Sequence, residues 1–218
     1  EENSGAILNP KTAVPVATDA QVEKVMQNDP LNQENEEHQE SESLHSATES
    51  ALIKLGKVTG CSVCIASNDR NRQYQGRPLG EDCLRSFPNF GLNEEATRTI
   101  KLIDVIWTIR NSPVCAFEVE TTTSIYSGLL RMSDLLSVVP SLNIKLYIIA
   151  PKEREAKVRF EINRPTFQKI GLNEYCKFIP IEELNKLLPR VEGLQGHIQP
   201  SIIDTIAIAF EEETLDNQ

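Results

Sequence analysis

No apolar run in this chain approaches the ~18 residues that a membrane-crossing helix needs. Nor does a basic segment followed by an apolar stretch mark a secretory leader. A soluble cytoplasmic protein with no membrane partner is the expectation. Aromatic residues are scarce, at 6% with one Trp. That argues against a carboxylate enzyme built to grip a sugar, since such sites stack rings on the substrate. The five cysteines are odd in number and form no disulfide pattern, which fits a reducing compartment. Cys61 and Cys64 make one CxxC, but neither a second CxxC nor a paired His completes a zinc set. Residues three apart on a strand face opposite ways, so both read as core thiols.

What remains is a 218-residue chain, 39% hydrophobic, long enough for one domain with an appendage. It begins at Glu1 rather than Met, so an N-terminal region of a longer protein is expected to be missing. The net charge of −10 argues at first against a polyanionic partner. Its distribution reverses that. Residues 1–50 hold two basic and eleven acidic side chains, and residues 181–218 hold two and eight. Residues 51–180 hold eighteen and thirteen, so the middle is basic between two acidic ends. A basic field suits a nucleic acid; ordinary surface charge would also give it.

Residues 1–43 are polar, acidic and aperiodic, and read as a linker or arm with at most a short helix at 19–27. Order is expected from Leu44 onward. Ser46-Ala-Thr-Glu49 reads as a capping box opening a helix. A strand at 61–66 follows, then a long loop carrying Arg70, Arg72, Arg77 and Arg85. Strands at 97–107 and 114–121 form a hairpin around Asn111-Ser112-Pro113. Helices are expected at 122–137, 152–162 and 181–188, and a last one at 199–210. The apolar run at 144–150 is a buried strand, and 178–180 a short edge strand. These elements give a domain at 44–190, followed by a C-terminal helix and acidic tail at 191–218.

The hairpin carries the chemistry. Asp104 sits inside KLIDVIW, and Glu118 and Glu120 sit inside CAFEVET. Alternation puts Glu118 and Glu120 on one face. Buried carboxylates cost several kcal/mol each unless a cation joins them. If register sets Asp104 opposite Glu118, the three can hold a hard cation such as Mg²⁺, with Mn²⁺ as substitute. The bland alternative is a solvated strand face or an arginine pair.

These residues carry a resemblance. Asp104, thirteen intervening residues, then Glu-x-Glu in a hairpin with helices before and after, resembles the PD-(D/E)xK nuclease superfamily over about residues 44–167. The strings GCSVCIASNDRN, FEVETTTSIYSGLLRMSDLL and YIIAPKEREAKV resemble type II restriction-endonuclease-like bacterial proteins in particular. The resemblance implies an α/β fold, a mixed sheet flanked by helices with an αβββαβ core. It implies a Mg²⁺-dependent endonuclease acting on DNA, with Asp104 and Glu118 on the metal. Glu120 stands where the superfamily usually has Lys, so it would act as ligand and water-orienting base. Glu49 matches the extra glutamate that the first helix often supplies; the capping box explains it equally well. Arg70, Arg72 and Arg131 are candidate phosphate contacts, beside turn, packing or ion-pair roles. A homodimer suits cutting both strands. The competing expectation is an inactive nuclease-like module that binds without cutting.

Overall fold

The computed structural model describes residues 30–122, 125–138 and 143–210, with the side chains of 30–37 and Val138 left aside. The expected helix at 19–27 and the acidic tail lie outside these residues. Helix α1 spans Pro30–Val58. Residues from Glu40 onward form one compact unit, which holds the sheet and the helices packed on it.

The strands in chain order are β1 (Ser62–Ile65), β2 (Gln73–Tyr74), β3 (Arg77–Pro78), β4 (Val105–Ile109), β5 (Ser112–Val119), β6 (Lys145–Ala150), β7 (Cys176–Pro180) and β8 (Ile208–Ala209). Between them lie α2 (Glu94–Ile100), α3 (Tyr126–Val138), α4 (Glu155–Ile162), α5 (Pro165–Gln168), α6 (Leu172–Tyr175) and α7 (Ile181–Val191). Six strands form a mixed sheet in the order β1-β4-β5-β6-β7-β8, and β2 pairs with β3 apart from it. β1–β4 and β4–β5 pair antiparallel, β5–β6 and β6–β7 parallel, and β7–β8 antiparallel. Parallel neighbours need a crossover, and the segments holding α3 and then α4–α6 supply them.

Alternation along the strands sends side chains to two apolar layers. Val105, Trp107, Phe117 and Ile149 meet α1 and α7 on one face. Ile106, Ala116, Leu146 and Phe178 meet α2, α3, α4 and the short helices on the other. A sheet buried on both faces has apolar residues at nearly every position, which is why the β6 segment shows no period. Cys61 joins the first layer and Cys64 the second, as their spacing predicts. All five cysteines are buried free thiols.

Four features differ from the sequence expectation. First, Ser46 is not a cap: α1 runs unbroken through it, so Glu49 has no reach-back partner. Second, residues 94–100 are helix, and the strand starts only at Val105. Asn93 caps that helix by accepting from the Ala96 amide at 2.8 Å, with Glu94 and Glu95 in the first turn and Arg98 in the last. Third, the hairpin turn is Arg110-Asn111, both at positive φ (49° and 64°). A two-residue loop of that hand matches the twist of the strands. Fourth, residues 200–206 form 3-10 turns, and β8 then pairs with β7, so β7 is not an edge.

Candidate active site

The β1–β4–β5 register assembles the acidic end of the sheet. Ile65 pairs with Val105, and Val105 with Phe117. Asp104, one residue before β4, therefore comes level with Glu118 and not within the strand itself. The Ala66 amide donates to the Asp104 carbonyl at 3.0 Å, carrying the pairing one residue further. Asp104 turns its Oδ2 onto the Val119 amide, which donates at 2.7 Å.

Glu118 is completely buried, and Arg131 of α3 grips it with two hydrogen bonds. Nε donates to Oε1 at 2.7 Å, and Nη2 donates to Oε2. This fork geometry is the strong form of a buried ion pair. Glu120 lies just past the end of β5 and accepts the Gly128 amide on Oε1 at 3.1 Å. A Cβ on Gly128 would lie 2.4 Å from that oxygen, so glycine is required for the approach. Both glutamates thus face α3, as alternation predicts.

A second group flanks Asp104 on its other side. His45, Glu49, Asp69 and Asp104 each offer one ligand atom, and these atoms lie within 4.8 Å of one another. His45 and Glu49 stand one turn apart on α1, with Nε2 3.5 Å from Oε1. Asp69 comes from the turn after β1, where its amide donates to the Ala66 carbonyl at 3.2 Å. Its Oδ1 meets Arg72 Nη2 at 3.0 Å. Among the described residues, no other group of His, Cys, Asp and Glu converges in this way.

The cluster is short of positive charge. Burial is the largest cause raising Asp104 and Glu118 above their ordinary values. The Asp104 charge adds to the effect on Glu118, and Arg131 opposes it. Burial likewise pushes Glu120 up to about 7, with Asp104 adding to it. Glu49 also rises to about 7, by burial first, with His45 opposing. Burial lowers His45, but the facing carboxylates of Glu49, Asp104 and Asp69 outweigh it and leave the imidazole above its ordinary value. Both Glu49 oxygens are buried without a hydrogen-bond partner.

The predicted arginines are all engaged. Arg131 holds Glu118, Arg72 meets Asp69, and Arg70 donates to the Leu84 carbonyl at 2.8 Å. Arg70 also lines a cavity of about 220 Å³ together with Ser67, Arg85, Phe87 and Lys101. Neither His45 nor Asp69 is among the site residues expected from the sequence. The i, i+4 spacing of His45 and Glu49 was a readable signal, once both are known to lie within one helix.

A family model describing the C-terminal domain of the type II restriction enzyme NmeDI matches residues 14–209. The chain belongs to that family. The type II restriction enzyme NmeDI of Neisseria meningitidis serogroup C is 30% identical over 168 residues, which is 73% of this chain and 47% of that protein. The chain thus spans about half the length of its NmeDI relative. No solved structure matches it. No helix among the described residues is long and apolar enough to cross a membrane.

Proposed function

We propose that this chain is the nuclease domain of a restriction-type endonuclease and hydrolyses DNA phosphodiester bonds with Mg²⁺ at a PD-(D/E)xK-type centre. One observation carries the reading: strand register sets buried Asp104 level with buried Glu118 at the end of the sheet, and Glu120 follows two residues on along the same face. Restriction activity in the NmeDI relative is in keeping with it. An all-oxygen donor set of carboxylates suits a hard cation. Asp104, Glu118 and Glu120 would hold it.

Bound Mg²⁺ supplies Lewis-acid stabilisation of phosphate charge and lowers the pKa of water. The chain's own groups do the rest. Arg131 fixes the Glu118 carboxylate and favours its ionised form. The Gly128 amide fixes one Glu120 oxygen. Held by that amide, Glu120 is placed to orient an attacking water beside the phosphate. Arg70, Arg72 and Arg131 contribute positive charge for the phosphate backbone, and Arg85 and Lys101 share the Arg70 cavity. A homodimer would bring one such centre to each strand.

A second reading, an inactive nuclease-like module, is favoured by one feature: both Glu118 oxygens are already held by Arg131. Plasmid cleavage separates the two. The nuclease reading expects nicking or linearisation with Mg²⁺, none in chelator, and none from Asp104→Ala. Cutting by Asp104→Ala at the native rate overturns the site. DNA binding without any cutting by the native chain selects the module.

A further inference from the structure

We propose that His45, Glu49, Asp69 and Asp104 form a mixed imidazole–carboxylate site for a first-row transition-metal dication, of the Mn²⁺ or Co²⁺ class, in preference to Mg²⁺. The site shares Asp104 with the proposed nuclease centre but lies on the α1 side of it. It depends on these four side chains and not on cleavage.

The backbone brings the ligands together before any ion arrives. His45 and Glu49 project from one face of α1, a turn apart. The β1–β4 pairing, continued by the Ala66 amide bond to Asp104, places the end of β1 beside Asp104. Asp69 follows three residues after Ala66 and folds back on it. The four ligand atoms already lie within 4.8 Å of one another. Ligands about 2.1 Å from one ion are separated by up to about 4.2 Å, so side-chain adjustment alone closes the shell.

A cluster of acids would not by itself identify a site. Glu49 supplies the independent observation. Its side chain is completely buried, and neither of its oxygens has a hydrogen-bond partner. A buried carboxylate that nothing satisfies is strongly unfavourable. The nearest cationic group is His45, at 3.5 Å a contact and not a good hydrogen bond. The other two carboxylates each spend one oxygen elsewhere, Asp69 Oδ1 on Arg72 and Asp104 Oδ2 on the Val119 amide. A carboxylate has two oxygens, so neither bond removes the residue as a ligand.

Ligand chemistry sets the choice of ion. Mg²⁺ takes oxygen donors and keeps its waters, whereas a nitrogen donor among carboxylates favours first-row transition dications, whose affinities rise from Mn²⁺ toward Cu²⁺. The other acidic group, Asp104 with Glu118 and Glu120, contains no nitrogen. The two sides of Asp104 therefore differ in the ions they prefer.

Cobalt binding tests this in the full chain without DNA. Co²⁺ titration followed by its d–d absorption and by calorimetry should show affinity roughly tenfold or more above that for Mg²⁺. His45→Asn should weaken Co²⁺ binding by roughly tenfold or more, leave Mg²⁺ binding within about twofold, and remove the paramagnetically shifted imidazole N–H resonance. Asp69→Asn, which leaves α1 untouched, should weaken Co²⁺ binding in the same direction and carries the test if His45→Asn fails to fold. Unchanged Co²⁺ affinity and spectrum in a folded His45→Asn or Asp69→Asn variant overturns the site. Cleavage is read separately. A chain that never cuts DNA but binds Co²⁺ through His45 loses the nuclease reading and keeps this one. A chain that cuts normally while ignoring His45 in Co²⁺ binding does the reverse.

Discussion

Glu49→Gln should make the cation-free protein more stable at pH 8 and not at pH 4. Glu49 is completely buried, and its pKa rises from 4.5 to about 7, chiefly by burial. A group whose pKa is higher folded than unfolded holds its proton more tightly in the native state. Its contribution therefore costs nothing below pH 4.5, grows as pH rises, and reaches full size above pH 7. A shift from 4.5 to about 7, at about 1.4 kcal/mol per pH unit, is a penalty of roughly 3.5 kcal/mol above neutrality. Glutamine removes the charge and keeps the shape, but its amide brings unsatisfied groups of its own, at roughly 1–3 kcal/mol. The net gain at pH 8 is about 0.5–2.5 kcal/mol, which for a chain of this size raises Tm by about 1–10 °C. Thermal unfolding with chelator at pH 8 and pH 4 measures it. Adding Co²⁺ or Mn²⁺ at pH 8 should reverse the order, because only the native carboxylate gains a ligand. A Glu49→Gln protein no more stable than native at pH 8, or equally stabilised at both pH values, refutes the reasoning.

Other perturbations exploit the same geometry. Arg131→Ala leaves Glu118 buried beside Asp104 with its ion-pair partner gone, and should cost roughly 3 kcal/mol in chemical denaturation at pH 8. Adding Glu118→Gln should recover part of that loss, and a double variant as unstable as the single one would refute the pairing. Gly128→Ala should displace Glu120, since the new methyl would lie 2.4 Å from Oε1. Cleavage in the plasmid assay should fall by about tenfold or more while Tm drops only modestly. Gly56→Ala should destabilise the first core by about 1–3 kcal/mol through overpacking. Its methyl would lie 2.6 Å from Trp107 Nε1, which donates to the Leu52 carbonyl, so tryptophan fluorescence reports the change.

The chain's local signals located the acids well and the helix boundaries poorly. Glu118 and Glu120 share a face because strand alternation is a property of the backbone, readable from spacing alone. The apolar run at 144–150 reads as a buried strand, and the strand at Lys145–Ala150 matches it. Residues 97–100 misled because Thr97, Thr99 and Ile100 near a buried strand look like its beginning. The Asn93 cap and the charges around it favour a short helix. Ser46 misled in the opposite way, since a capping-box pattern also occurs inside a helix that starts earlier.

By itself the sequence determined the mixed α/β layers, the hairpin, and the pair of glutamates beside Asp104, because periodicity and alternation are local. Which residues surround those acids was decided only in the tertiary structure. Arg131 lies thirteen residues from Glu118, Asp69 lies thirty-five from Asp104, and His45 lies further still. They meet because β1 pairs with β4 and because α1 and α3 pack on opposite faces of one sheet. No local pattern encodes such a meeting. It depends on loop closure and on how two buried faces fit, so the unpartnered Glu49 and its imidazole neighbour become visible only in the folded chain.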